Sequence, residues 1–272
     1  MTEVALPELG TAWARPRDVE EACRLLASAT PLARPVAGAT ILTPAALAAD
    51  RSVRLAVDVL SLGALAGIRR SGEALHVGAA VSAAELAGDD HAQQAAPLLV
   101  SAAAQLGDEV IRRHATVGGN LAALAATDLS VALAALGASA VAASVRGSRS
   151  APVEDLELGS DELITEVVVP DAEGLRWAYG KLTLNASAYS VATVAVAFRR
   201  DGTAAAFAGV GPRPARLLAA EEALAHGEYD AAAVAGEACA GLDAATDALA
   251  DAAYRRRAAA SLLEDALVQV RA

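Results

Sequence analysis

The chain changes character once, across Pro170-Asp171-Ala172-Glu173-Gly174, and that change limits its fold more than any other feature. Beyond it strands come first. Trp177 to Lys181, Ser190 to Phe198 and Ala204 to Val210 are runs of strand length, with Asp201-Gly202 as the hairpin turn between the last two. Helical patterns over 215–225, 230–240 and 247–271 then close the chain. Strands followed by helices predict a small three-stranded antiparallel sheet backed by a helical bundle, not a parallel βαβ unit. Before the break the two types alternate. Asp18 with Glu21 three residues later predicts a capped helix over 19–29, ended by Pro31. A short strand, Arg34-Pro35-Val36, runs straight into Ala37-Gly38-Ala39-Thr40, and a helical pattern follows from Pro44 to Ala49. Further strands are expected over 55–59, 75–81, 140–145 and 164–169, and helices over 95–106 and 129–136. The fold class is therefore α+β, with no internal repeat of fixed period.

Composition narrows the function. Apolar residues make up 55% of the 272 positions but aromatic ones only 3%, so the core must be filled with Ala, Val and Leu. Twenty-two basic against 33 acidic side chains leave a net charge of −11, which argues against a phosphate-binding nucleic-acid surface. Cys23 and Cys239 stand far apart with no CxxC, so the chain offers neither a four-thiolate zinc site nor the ligands of an iron–sulfur cluster. Glu3 and Glu8 occupy the place where a secretory signal carries positive charge, and Leu129 to Val145 is too short and too rich in Ser and Gly for a membrane span. The expected location is the cytoplasm. Lys181 is the only lysine among 22 basic residues, a residue not interchangeable with arginine.

Several common sites are absent from the sequence. Lys181 is followed by Leu182 and closes no GxxxxGK[ST], Gly209-Val210-Gly211 runs into Pro-Arg-Pro, and no GxSxG occurs. His76, His91, His114 and His226 are scattered without HExxH. Two small-residue segments remain, Ala37-Gly38-Ala39-Thr40 and Thr116-Val117-Gly118-Gly119-Asn120. Glycine lets a backbone approach a large anion, and successive N–H groups in a turn hold phosphate oxygens without a lysine. Two such turns can clamp a pyrophosphate from both sides.

These segments carry a family resemblance. Val36-Ala37-Gly38-Ala39-Thr40 and Ile111-Arg112-Arg113-His114-Ala115-Thr116-Val117-Gly118-Gly119-Asn120-Leu121-Ala122 resemble the AGGT-like loop and the IRNxATIGGNLA stretch of the FAD-binding medium subunits of molybdenum hydroxylases, the carbon monoxide dehydrogenase and xanthine dehydrogenase family. Asp128-Leu129, Asp161-Glu162-Leu163-Ile164, Tyr179-Gly180-Lys181-Leu182 and Gly209 to Pro214 are similar landmarks in the same order. The resemblance implies a two-part FAD-binding region, a small α/β subdomain over 1–53 and a mixed or antiparallel sheet subdomain over 54–170, followed by the sheet and helical bundle of 171–272. It implies that Val36, Ala37, Gly38, Ala39, Thr40, Ile41 and Leu42, with Thr116, Val117, Gly118, Gly119 and Asn120, contact the FAD pyrophosphate. Asp128 would accept from the ribityl or ribose hydroxyls, Ile164 would lie against a ring, Lys181 would reach the pyrimidine edge of the flavin, and Tyr189 would stand near its face.

The partners implied are a small subunit with [2Fe–2S] clusters and a large molybdopterin subunit, in a dimer of heterotrimers, with NAD, a quinone or oxygen as electron acceptor. Catalytic acid–base groups would then lie on the large subunit, and no metal ligand belongs to this chain. The sequence departs from the family pattern in the first loop, where Ala39 and Ile41 replace a glycine and a polar residue, and in the stretch from Asn120 to Asp128, one residue shorter than usual. Two other readings are therefore kept beside it: an assembly scaffold of the same fold without FAD, and a free-standing flavin oxidoreductase.

Overall fold

The computed structural model describes residues 4–6, 11–41, 53–123, 128–185 and 189–271. Leu42 and the helix expected over 44–49 lie outside these residues. Three sheets organise the rest. In the first, β1 (Val4–Leu6), β2 (Thr11–Ala14), β3 (Ala33–Val36) and β4 (Leu55–Asp58) are ordered β1-β2-β4-β3. β4 runs parallel to both neighbours, and β1 pairs antiparallel with β2. Helix α1 (Val19–Ser28) begins where the Asp18 carboxylate accepts the Glu21 N–H, and it buries Ala22, Cys23 and Leu26.

The second sheet contains β5 (Ile68–Ser71), β6 (Ala74–Gly78), β7 (Ser139–Ser144), β8 (Gly147–Pro152) and β9 (Leu163–Pro170), ordered β5-β6-β9-β7-β8 and antiparallel throughout. Short helices are strung between β6 and β7: α2 (Ala83–Ala87), α3 (Asp90–Ala95), α4 (Pro97–Ala104), α5 (Glu109–His114), α6 (Val117–Ala122) and α7 (Asp128–Ala135). The helix expected over 95–106 is broken at Ala96, because Pro97 has no N–H to continue a helix and serves as the first residue of α4 instead.

In the third sheet β10 (Trp177–Thr183), β11 (Ser190–Phe198) and β12 (Ala204–Gly209) form the expected meander, and Gly202 turns the last hairpin at φ 84°. A fourth, two-residue strand, β13 (Ala215–Arg216), extends it. β11 is buried from Val191 to Ala197 because helices cover both faces of this sheet. Val194, Val196 and Ala206 meet α8 (Leu218–His226), α9 (Ala231–Ala240) and α10 (Ala252–Arg271), while Ala195, Ala197 and Phe207 meet α7. Every residue of α7 is buried, and its Leu129, Val131 and Leu133 each contribute about 1.5–3 kcal/mol by leaving water. Helix α7 is thus shared core between the second and third sheets.

Pro170–Gly174 is a junction rather than a loose tether. The Asp171 side chain, 2% exposed, accepts from Arg70 Nε of β5 at 2.7 Å and pairs with Arg200 of the β11–β12 hairpin at 3.2 Å. Arg199 of the same hairpin donates to the Ala134 and Ala135 carbonyls at the end of α7. Two adjacent arginines therefore fasten the third sheet to the second. Among the described residues no helix is long and apolar enough to cross a membrane.

Candidate functional site: a cleft between two glycine-bearing segments

The first segment leaves β3 and is pressed against the second. A Cβ built on Gly38 would lie 1.5 Å from the His114 carbonyl oxygen and 2.5 Å from its carbon. Only a glycine allows that contact of backbone with backbone. His114 ends α5, two residues before Thr116, so the approach brings the segments at 37–40 and 116–120 side by side. Ala39 takes a left-handed φ of 56°, the one non-glycine residue described with positive φ.

The second segment is locked from behind. The Val117 and Gly118 N–H groups donate to the carbonyls of Val81 and Ala79 at 2.9 and 2.8 Å, and Ala83 N–H returns to Ala115 O at 2.8 Å. Thr116 caps α6, its hydroxyl oxygen accepting Gly119 N–H at 3.2 Å and its carbonyl accepting Asn120 N–H at 2.8 Å. The expected row of free amides at 117–120 is therefore engaged within the chain. What the second segment offers outward is the Thr116 hydroxyl proton, since its oxygen is the acceptor, together with the open side of Gly119, which is exposed. The free amides are on the first segment, where the N–H groups of Ala37, Gly38, Ala39 and Thr40 meet no intrachain acceptor among the described residues.

Two clefts open on this contact. The larger, about 730 Å³, is lined by Gly38, Thr116, Val81, Ser82, Arg113 and His114 among others, with Leu60 at its edge. The smaller, about 80 Å³, lies between Ala37, Thr116, Gly118, Gly119, Leu163 and Ile164. The larger volume falls within the range of about 300–1,000 Å³ usual for cofactor pockets. Its charge is mixed. Arg113 pairs with Glu109 at 2.6 Å, and Glu85 is turned back to the Ser82 N–H and hydroxyl at 2.8 Å in a capping box. On the rim of the smaller cleft the Glu162 carboxyl is held below the usual range, first by the Arg149 guanidinium and further by Gly159 N–H, against the opposing effect of burial.

Of the residues singled out in the sequence, Ala37, Gly38, Thr116, Gly118, Gly119 and Ile164 line these clefts. Val36 and Val117 are buried behind them, Thr40 is partly buried, Asn120 is buried within α6, and Ile41 is exposed. Asp128 and Lys181 form a second group. Lys181 Nζ donates to Asp128 Oδ2 at 2.8 Å and to the Gln105 carbonyl at 2.7 Å, with the lysine side chain 5% exposed. Asp128 Oδ1 accepts the Tyr179 hydroxyl at 3.0 Å. Burial, reinforced by the Asp128 charge, pushes that phenol well above its usual value of 10. Among the described residues Lys181 keeps one N–H and each Asp128 oxygen keeps a lone pair. Tyr189, 60% exposed, lines neither cleft.

Sequence reasoning missed the wall formed by Ala79 to Ser82 and by Ala66-Gly67. The signal for the first was present, because Ser82 with Glu85 three residues later is a capping-box spacing that announces α2. Beside this wall Arg112 donates to the Leu106 and Gly107 carbonyls and fixes the turn before α5.

Residues 7–172 match the family model described as the FAD binding domain in molybdopterin dehydrogenase. The chain is 31% identical over 269 residues to the 6-hydroxypseudooxynicotine dehydrogenase complex subunit alpha of Paenarthrobacter nicotinovorans, covering 92% of this chain and 91% of that protein. It is 28% identical over 269 residues to the carbon monoxide dehydrogenase medium chain of Hydrogenophaga pseudoflava, covering 93% and 94%. Among solved structures it superposes on quinoline 2-oxidoreductase from Pseudomonas putida 86 with a TM-score of 0.86, at 25% identity over 100% of this chain and 98% of that one. The TM-score is 0.87 against the carbon monoxide dehydrogenase from Hydrogenophaga pseudoflava that lacks the Mo-pyranopterin moiety of its cofactor, at 27% identity, covering 95% and 96%.

Proposed function

The chain belongs to the family of FAD-binding domains of molybdopterin dehydrogenases, as their medium subunit, and from that premise we propose that it relays electrons from the [2Fe–2S] clusters of a small partner subunit to NAD, a quinone or oxygen. Substrate oxidation takes place on the molybdopterin of a large partner subunit in this reading, and the small, medium and large chains form a heterotrimer that pairs into a dimer. The observation that carries it is the contact of Gly38 with the His114 backbone, which closes two glycine-bearing segments on one cleft of cofactor size.

The residues present fit FAD. Free N–H groups at 37–40 and the Thr116 hydroxyl supply donors for a pyrophosphate, with Arg113 and His114 as nearby cationic or donor groups. Ile164 supplies an apolar surface in the adjoining cleft, and Asp128, Lys181 and Tyr189 are the polar and aromatic groups assigned to the flavin end. Because Asp128 neutralises Lys181, the pair acts on the flavin as a hydrogen-bonding unit and not as a bare positive charge. When bound, FAD would supply the redox chemistry that links one-electron donors to the final acceptor. The chain's own part is to hold and orient it. We take the chain as three units working in the cytoplasm, expected over 1–53, 54–170 and 171–272, with β4 (Leu55–Asp58) joined by its pairing to the first of them.

Purification of the chain with its natural partners tests the reading. Expected are co-purification with a cysteine-rich small chain and a much longer chain, and the visible absorbance of one flavin per copy of this chain. A colourless but fully assembled complex refutes it and favours the scaffold; a FAD-bearing monomer that turns over without iron favours the free-standing oxidoreductase.

A further inference from the structure

The β10–β11 ladder is irregular at one point. Leu182 pairs with Ala192 but Thr183 pairs with Ser190, so Val191 is an extra residue on β11. A bulge of this kind leaves backbone groups outside the ladder and re-aims the residues on either side. Val191 is fully buried, so its carbonyl cannot turn to water.

The missing donor comes from the other end of the chain. Arg255 on α10, 5% exposed, reaches Val191 O at 2.6 Å and Ser190 O at 3.3 Å through one terminal nitrogen. Its other terminal nitrogen meets both carboxylate oxygens of Asp247 at 2.7 and 2.6 Å. Asp247 is fixed in turn, because its Oδ1 also accepts the Leu249 and Ala250 N–H groups. Arg255 Nε has no partner among the described residues. A guanidinium buried with one donor unmatched is a poor device for stability alone, since an apolar side chain of similar volume often does as well. It is suited to holding two carbonyls and a carboxylate in one fixed fork.

On either side of the bulge stand residues assigned above to the flavin. Tyr189 comes directly before Ser190, and Lys181 pairs with Thr193 one step beyond Ala192. We propose that Arg255, held by Asp247, is a positioning residue for the flavin end of the site, fixing the Val191 bulge and with it the places of Tyr189 and Lys181. This rests on the FAD-binding reading of the previous subsection. Nothing local in the sequence marks it, as Arg255-Arg256-Arg257 is a run of like charges of the kind usual on a solvated helix face.

The test uses the full chain in its assembled complex, with Arg255→Lys and Asp247→Asn as the variants. Arg256→Ala is the control, since Arg256 is on the same helix and donates to Leu242 O, away from the bulge. Lysine keeps the charge but cannot make the fork, and Asp247, about half exposed, tolerates the amide. Expected for both variants are FAD affinity lowered about tenfold, an altered visible circular dichroism of the bound flavin and a shifted flavin midpoint potential. Arg256→Ala should change the melting temperature while leaving all three flavin readouts at wild-type values. Unchanged flavin affinity, dichroism and potential in both variants would overturn the proposal, as would equal changes in the control. If the wild type itself binds no FAD, the reading of the previous subsection has failed. Amide exchange at 190–193 then decides the clamp: faster exchange in Arg255→Lys upholds it, and wild-type protection removes it.

Discussion

Replacing Gly38 by alanine adds one methyl group at the point on which the functional reading turns. The added Cβ would stand 1.5 Å from His114 O and 3.3 Å from His114 Cα, and the atoms it meets are backbone, not the flexible end of a side chain. A carbon and a carbonyl oxygen approach to about 3.3 Å at closest, so the two segments must part by about 1.8 Å. Forced separation of packed elements costs about 1–3 kcal/mol, and because the backbone of 37–40 makes no hydrogen bond among the described residues that would resist the shift, this case falls at the lower end. The effect on ligand binding should be larger than on stability. A donor moved about 1.8 Å from a normal separation near 2.9 Å no longer makes a hydrogen bond.

With two charge-assisted bonds to a pyrophosphate lost at about 1.5 kcal/mol each, FAD affinity should fall about 100-fold. Titration of the flavin-free Gly38→Ala chain with FAD, followed by flavin fluorescence, measures the fall, and a melting curve measures the stability. Gly63→Ala is the matched control, because a Cβ there meets nothing within 4 Å. Gly38→Ala binding FAD within about threefold of the wild type would show that the contact does not build the cofactor cleft.

Ala39→Gly should act in the opposite direction: the left-handed φ costs an alanine about 1–2 kcal/mol and the flexibility of glycine returns about 0.5–1, leaving a gain of about 0.5–1 kcal/mol, read as a rise of about 1–4 °C in melting temperature. Lys181→Met strips the buried Asp128 of its counter-ion and should destabilise the chain by about 3–5 kcal/mol, whereas Lys181→Met with Asp128→Asn should cost distinctly less; equal losses in denaturant titrations would deny the coupling. Burial pushes the Asp171 carboxyl upward, but Glu173 N–H, Arg70 and Arg200 outweigh it and hold the carboxyl below its usual value. Its contribution is therefore complete above about pH 4, the unfolded value, and disappears as pH falls through the lower folded value, so Asp171→Asn should flatten the acid limb of a stability–pH curve.

The strands of the third sheet were legible because β11 and β12 are almost wholly apolar and Asp201-Gly202 marks the turn between them. β8 was not, since Gly147 to Pro152 is an edge strand of mainly exposed polar residues with no apolar alternation to give it away. β13 was too short to signal at all. The family motifs located the two glycine-bearing segments, but not which of their amides are free. That depends on Ala79 and Val81, residues some forty positions upstream whose carbonyls take the Val117 and Gly118 N–H groups, and nothing local in the sequence fixes such a pairing. Arg255 gives no local signal for a related reason: its neighbours in sequence are charged, but its carbonyl partners lie about 65 residues away.

The division of labour between the segments follows from those partners. The segment at 116–120 has the longer motif, yet its amides lock it to the second sheet, which makes it the rigid wall of the cleft. The segment at 37–40 has the looser motif and the open amides; Ala37 packs on the core, Gly38 meets the His114 backbone, and the backbone N–H groups find no acceptor among the described residues. Substitutions in the two should therefore fail differently. A side chain at Gly118, whose Cβ would meet Ala79 Cβ at 2.7 Å, strains the wall and should lower stability together with FAD affinity. A change confined to 37–40 should lower affinity more than stability, because the amides lost there support a ligand and not the fold. Plotting FAD affinity against melting temperature for variants of both segments should give two distinct slopes, and a single common slope would mean that the cofactor reads only the overall stability of the chain.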